Sequence, residues 1–311
     1  MTTRVSQLRS GISLIELLVV IAIIAILVSL SVVAVMRVRE ASSKAVCVNN
    51  LRQIALATHS YHDVNKCVPF NSVQTPYGPY GPNTKAWSWL ARILPYLDQQ
   101  NLYQKAKIDA NTLFQSRDVA ATQVAVFLCP SDIACSQGPR SDAADLGMWN
   151  PPFISAGNTN YKGVCGSNWA WGDRRWRNRG TNGQNDPFVQ SDGLFFRDDF
   201  LSKRRFGVVT DGLSNTFMIG EAVPERSKWC SWPYANNALG TCAIAPNAKQ
   251  QDGTDFDPWD WTNTYSFHSR HAGGLYFAMA DGSVHFVMDS IKLTTYRALA
   301  TIQGGESVTF P

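Results

Sequence analysis

Three imidazoles and a carboxylate fall close together near the C-terminal end of the chain: His268, His271, Asp281 and His285. Neutral imidazole and carboxylate are suitable zinc ligands, so the four could form a metal site. They could equally form a structural polar cluster in which His271 fixes the turn at Asp281. Upstream, "QDGTDFDPWDW" carries Asp252, Asp255, Asp257 and Asp260. Closely spaced carboxylates suit calcium, which takes six to eight oxygens, although the spacing is not that of an EF-hand loop. A solvated acidic turn is the plain alternative. No cofactor is required by either pattern.

Aromatic and basic residues offer other chemistry. "WGDRRWRNRG" interleaves Arg174, Arg175, Arg177 and Arg179 with Trp171 and Trp176. Such a stretch could grip a polyanion through phosphate contacts and stacking, or simply be a solvated loop. Trp229, Trp232, Trp259 and Trp261, if exposed, could stack on the sugar rings of a glycan or other polymer. The net charge is +4, with Arg4 and Arg9 supplying two of those charges, too little to argue for nucleic acid as a partner. HExxH, a nucleophile elbow and a Gly-rich phosphate loop are all missing from the sequence, so an enzyme is not expected.

The seven cysteines (Cys47, Cys67, Cys129, Cys135, Cys165, Cys230 and Cys242) form no C-x-x-C pair. That argues against a zinc ribbon and for an exported domain holding some disulfides and at least one free thiol. Cys230–Cys242, across a loop rich in Pro, Gly and Asn, is the local candidate.

These residues need elements to position them. Ile12–Met36 is a 25-residue apolar run with one charge, Glu16. As a helix it would span about 37 Å, enough to cross a hydrocarbon core of about 30 Å. It exceeds the apolar core of roughly 7–15 residues of a signal peptide, so a retained membrane helix is expected. From Arg37 to Val64 there is neither Pro nor Gly. Val48, Leu51, Ala55 and Thr58 recur at helical spacing, with Ile54 and Tyr61 beside them. One helix from about Ser13 to Asp63 is predicted, its second half an amphipathic stem (37–64).

The remainder, 65–311, reads as a β-rich globular head. "PFNSVQTPYGPYGPN" is a loop. "TKAWSWLARILPYLDQQNLYQKA" is a helix broken or restarted at Pro95, with Trp89, Ile93 and Leu94 facing a core. Strands are predicted at Val124–Leu128, Tyr161–Val164, Gly193–Phe196, Phe206–Val209 and Phe217–Gly220. A hairpin over 274–288 follows from Asp281-Gly282, a favoured two-residue turn. Pairing outward sets Met279 opposite Val284, Phe277 opposite Phe286 and Leu275 opposite Met288, with these six on the buried face.

"GISLIELLVVIAIIAIL" resembles the N-terminus of type IV pilins and type II secretion pseudopilins. The resemblance implies a leader, residues 1–11, cut after Gly11 by a prepilin peptidase that also methylates the new N-terminus, Ile12. Glu16 is then the fifth residue of the mature chain and 12–36 its transmembrane helix. The rest resembles a bacterial family of prepilin-like proteins whose mark is His, nine residues, then Asp-Gly; His271 and Asp281-Gly282 fit. "CVNNLRQIALATHSYHD", "WSWLARILPYLDQQNLY", "FLCPSD" and "TDGLSNTFMIGE" match as well. The implied fold is α+β and pilin-like, a long N-terminal helix packed on an irregular β-rich head.

The implied protein is a single-pass subunit of the inner (cytoplasmic) membrane, its head in the periplasm or exported in a filament. Its partners would be the peptidase and like subunits. The alternative is a membrane-anchored solute- or glycan-binding module. A carboxylate at mid-membrane costs roughly 3 kcal/mol, which a partner charge at the same depth would offset. Cleavage supplies one in the amine of Ile12, and a neighbouring subunit in a filament can bring that amine to Glu16.

Overall fold

The absence of Pro and Gly between Ile12 and Asn65 lets one helix, α1 (Leu14–Asn65), run for 52 residues. In the computed structural model, residues 14–71, 81–147, 151–169, 182 and 190–306 are described. The chain divides into two compact units, Met1–Ser43 and Lys44–Pro311. In the first, α1 is apolar on all sides as far as Met36, Glu16 apart, and large hydrophobic side chains such as Leu14, Ile24, Leu30, Met36 and Val38 are exposed. Among the described residues it is the one helix long and apolar enough to cross a membrane, with a mean hydropathy of 3.2 over its most apolar window.

In the second unit α1 becomes one-sided. Cys47, Leu51, Ile54, Ala55, Thr58 and Tyr61 are buried while Leu56 and Val64 on the other side are exposed. The buried stripe begins at Cys47 rather than at Val48, which is half-buried. The helix ends where Lys66 turns left-handed, with φ of 58°.

Among the described residues five strands follow: β1 (Tyr161–Val164), β2 (Phe217–Glu221), β3 (Leu239–Gly240), β4 (Gly274–Met279) and β5 (Val284–Met288). They form one mixed sheet in the order β3-β1-β2-β4-β5. β1 and β3 are parallel and the other neighbours antiparallel. Alternation along the strands builds a core on each face. Tyr161, Ile219 and Ala278 join the stripe of α1, Trp87, Trp89, Leu90 and Phe195 in the larger one. Val164, Phe217, Leu275, Phe277, Met279 and Val287 join Tyr296 and Leu299 in the smaller one. The helix Leu293–Ala298, which supplies Tyr296, had no counterpart in the sequence reading. The fold is thus α+β and pilin-like.

The C-terminal hairpin forms, but one residue out of the expected register. Ala278 pairs with Val284, Phe277 with His285, Tyr276 with Phe286 and Leu275 with Val287. The turn is a three-residue loop, Ala280–Gly282, in which Gly282 N–H donates to Met279 O and Met279 N–H to Ser283 O. Gly282 has φ of 88°, the left-handed position that closes such a loop. One extra loop residue moves the β5 side chains to opposite faces. Val287 is therefore buried and Met288 is 58% exposed.

Two other predicted strands form, β1 as expected and β2 extended to Glu221. Val124–Leu128 and Phe206–Val209 instead hold single 3-10 turns at Ala125–Phe127 and Phe206–Val208, and 193–196 is irregular. None of the three forms a strand, although Phe195 N–H donates to Val164 O at the end of β1 at 3.1 Å; each run is wholly or partly buried, and burial explains its apolar composition. The break at Pro95 is as expected. Trp89–Arg92 is capped by the Ser88 side chain, a 3-10 turn covers Leu94–Leu97, and Gln100–Ala106 follows.

Candidate functional site

His268, His271, Asp281 and His285 are not brought together. They divide between the two ends of β4. Asp281 is exposed at the hairpin tip, where Oδ1 accepts from Ser283 N–H at 2.8 Å and from Ser283 Oγ at 2.7 Å. His285 Nε2 lies 3.0 Å from Ser283 Oγ. At the far end His268 is buried, Nε2 being 2.9 Å from Ser266 Oγ, while its backbone N–H donates to Glu221 O at 3.0 Å. Burial, then the charges of Arg226 and Lys162, push the His268 pKa down to about 3.

His271 belongs to a different group. Its Nε2 lies 3.3 Å from Glu221 Oε1 and 3.9 Å from Cys129 Sγ. Cys47 completes the set, and one donor atom from each of Cys47, Cys129, Glu221 and His271 lies within 4.8 Å of the others. All four residues are buried. Each comes from a separate element: Cys47 from α1, Cys129 from the loop after Ala125–Phe127, Glu221 from the end of β2, and His271 from the approach to β4.

The surroundings hold these side chains in place. Tyr276 N–H donates to Glu221 Oε2 at 2.8 Å, and its ring stands edge-on to His271 at 5.4 Å. Cys129 N–H donates to Asn160 Oδ1 at 2.9 Å, and His271 N–H to Ser269 Oγ at 3.1 Å. Glu221 Oε1 is buried with no hydrogen-bond partner and faces His271.

Cys47 and Cys129 are joined as a disulfide across a separation of 82 residues. It ties α1 to the sheet side of the head. The expected Cys230–Cys242 bridge is not formed; both are buried free thiols. Cys230 neighbours Lys162 and Cys135, whereas Cys242 lies against Tyr296 in the smaller core. The chain between them carries the two thiols to different places.

The acidic loop turns its carboxylates to separate local partners. Asp252 accepts from Thr254 N–H at 2.9 Å, Asp255 pairs with Arg226 at 3.3 Å, Asp257 accepts from Trp259 N–H at 3.0 Å, and Asp260 accepts from Asn263 Nδ2 at 2.8 Å. Trp229 and Trp232 are core residues rather than exposed platforms. Trp259 stands edge-on to Trp229 at 6.3 Å and Trp261 edge-on to Trp169 at 6.0 Å, both half-buried. Beside them an open polar cleft of about 290 Å³ is lined by residues including Arg140, Asp142, Glu225 and Lys228. Its cations are internally matched, because Arg140 and Lys228 both pair with Asp142. Those pairs hold the Asp142 pKa at about 2 against the opposing effect of burial.

Glu16 lies in the first turn of α1 and is exposed. Gly11, Ile12 and the Arg/Trp stretch 171–180 lie outside the described residues.

Sequence reading could not have assembled the buried group, but a signal was present. Cys47 opens "CVNNLRQIALATHSYHD", Cys129 lies in "FLCPSD", Glu221 closes "TDGLSNTFMIGE" and His271 is the His of the His-to-Asp-Gly spacing. Four of the stretches that carried the resemblance supply one member each, while "WSWLARILPYLDQQNLY" supplies none.

Comparison with known proteins agrees with that resemblance. The family model described as "Protein of unknown function (DUF1559)" matches residues 36–294. The prokaryotic N-terminal methylation motif matches residues 7–32. No curated protein and no solved structure matches the chain. The chain belongs to that family and carries the methylation motif ahead of its head.

Proposed function

We propose that this member of the family is a prepilin-like structural subunit. It is cleaved after Gly11 by a prepilin peptidase, methylated on Ile12, and assembled through its N-terminal helix into a filament like a type IV pilus or a type II secretion pseudopilus. Before assembly it sits in the inner membrane as a single-pass protein with its head on the periplasmic side. The observation that carries this reading is one helix that changes character along its length. From Leu14 it is apolar on every side with Glu16 in its first turn, and from Cys47 it is a buried spine of the head. The methylation motif lies over the first of these regions.

The physical logic is one of matched charges. A carboxylate in hydrocarbon is costly unless paired. Cleavage would create an ammonium four residues away in sequence, and an axial offset between subunits can set the amine of one beside Glu16 of the next. Wrong registers would leave both charges uncompensated, so the pair would select register. Mass spectrometry of the native N-terminus tests the reading, with methylated Ile12 expected. An intact Met1 on the membrane-inserted protein would refute it.

A further inference from the structure

We infer that Cys47, Cys129, Glu221 and His271 are a redox-gated zinc site: a disulfide when the two thiols are oxidised, and a four-ligand metal centre when they are reduced. The inference does not rest on the filament reading. Four groups of zinc-ligating type, from four separate elements, converge within 4.8 Å in the buried interior. A disulfide alone explains only two of them. It gives no reason for the His271 imidazole to lie 3.9 Å from Cys129 Sγ, nor for a Glu221 carboxylate oxygen to be buried within 4.8 Å of both sulfurs, with Oε1 in contact with His271 Nε2 at 3.3 Å.

The distances fit the chemistry. Zinc bonds of about 2.0–2.3 Å in a tetrahedron place neighbouring ligand atoms about 3.3–3.8 Å apart. His271 Nε2 to Glu221 Oε1 is 3.3 Å and His271 Nε2 to Cys129 Sγ is 3.9 Å. Those edges are already in place. The edge between the two sulfurs must lengthen, which breaking the bond between them allows, and the remaining three edges lie within 4.8 Å. The outer contacts are those that orient ligands: Tyr276 N–H on Glu221 Oε2 and Ser269 Oγ at the His271 backbone.

The interconversion is balanced as follows. A dithiol reductant donates two electrons and two protons, opening the Cys47–Cys129 bond to two thiols and becoming a disulfide itself. Zn²⁺ then displaces both thiol protons to solvent and binds two thiolates, the His271 imidazole and the Glu221 carboxylate. In the reverse direction a disulfide oxidant takes two electrons from the two thiolates and two protons from solvent, becoming a dithiol, while the Cys47–Cys129 bond re-forms and Zn²⁺ is released. Both species fasten α1 to the head, so the fold would be held in reducing and in oxidising compartments by the same four residues.

The test uses the full chain in detergent, prepared oxidised or reduced with a phosphine and then desalted, with Zn²⁺ or Co²⁺ alone as the probe. One equivalent of zinc is expected on the reduced chain and none on the oxidised chain. Co²⁺ on the reduced chain should give a thiolate charge-transfer band and tetrahedral d–d bands. Zinc X-ray absorption should read two sulfurs and two light ligands, a measurement that needs no variant. His271→Gln should weaken binding by at least the ~10-fold that loss of an outer partner costs. The inference is overturned if the reduced, folded chain takes up no zinc, or if the oxidised chain binds it equally well. Full binding retained by Cys47→Ser/Cys129→Ser, or unchanged affinity in His271→Gln, would overturn it too.

Discussion

Reducing the Cys47–Cys129 bridge in metal-free buffer should cost the head several kcal/mol, and the size follows from where the bridge sits. A cross-link stabilises mainly by restricting the unfolded chain, and the restriction grows with the loop it closes. For a separation of 82 residues, the chain-entropy relation gives about 15 cal/mol/K, or ~4.5 kcal/mol at 25 °C. Removal of native bridges typically costs about 2–5 kcal/mol, so the upper half of that range is expected. The assay is urea unfolding of the full chain in detergent, oxidised against phosphine-reduced, with chelator present so that no ion re-clasps the dithiol. The midpoint should fall, and the slope should hold or rise because the reduced unfolded chain is more expanded. Cys47→Ala/Cys129→Ala should behave like the reduced protein in either buffer. A midpoint difference worth less than ~1 kcal/mol, with the bridge verified by mass spectrometry, would refute the claim that it restrains this loop.

Other outcomes are equally specific. Leu51→Ala, on the buried stripe of α1, should cost ~2–5 kcal/mol, whereas Leu56→Ala on the exposed side should stay within ~0.5 kcal/mol by the same urea assay. His268 is held neutral in the fold with a pKa of about 3, while the unfolded imidazole takes a proton below about 6.5. Its stabilisation is therefore complete above pH 6.5 and lost as pH falls towards 3, amounting to ~2–3 kcal/mol between pH 7 and pH 4.5; His268→Gln should remove that part of the acid slope. At Gly282, with φ of 88° and His59 no closer than 3.9 Å to an added Cβ, substitution meets backbone strain and no clash. Gly282→Ala should cost about 1 kcal/mol and Gly282→Asn less, since Asn tolerates the left-handed region. Glu16→Ala should insert into the membrane normally yet fail to assemble, as read by membrane fractionation and filament yield; normal incorporation into filaments would refute its pairing role.

The parts legible in the sequence were those set by local pattern. α1 follows from an uninterrupted run without Pro or Gly, and its change of character follows from where the polar residues begin. β1, β2 and the hairpin follow from short apolar runs between turn residues. The hairpin's register was not legible, because Asp281-Gly282 suits a two-residue and a three-residue loop alike. Only the left-handed Gly282 as third loop residue decides between them. Three apolar runs expected to be strands are not, because periodicity reports burial and not pairing. The cluster around His271 was illegible for a different reason. Its members are far apart in sequence, and no spacing rule indicates which distant Cys or Glu a given His will meet.

The spacing of His271 and Asp281-Gly282 gains a physical meaning once α1 is in view. The two ends of this segment do not meet each other; each meets α1. His271 lies within 4.8 Å of the Cys47 ligand atom. Gly282, at the other end, is beside His59, and Ala280 makes a backbone hydrogen bond to the His59 side chain. Along α1, Cys47 and His59 are twelve residues apart, about 18 Å at a helical rise of about 1.5 Å per residue. A six-residue strand such as β4 spans about 17–20 Å. β4, with the turns that flank it, thus runs between two points on the helix. His, nine residues, Asp-Gly is a strand with its turns and a fastening at each end: a buried imidazole beside the bridge at one, and a glycine-closed loop against an imidazole of α1 at the other. Read this way, the motif sets how the sheet is pinned along the helical spine.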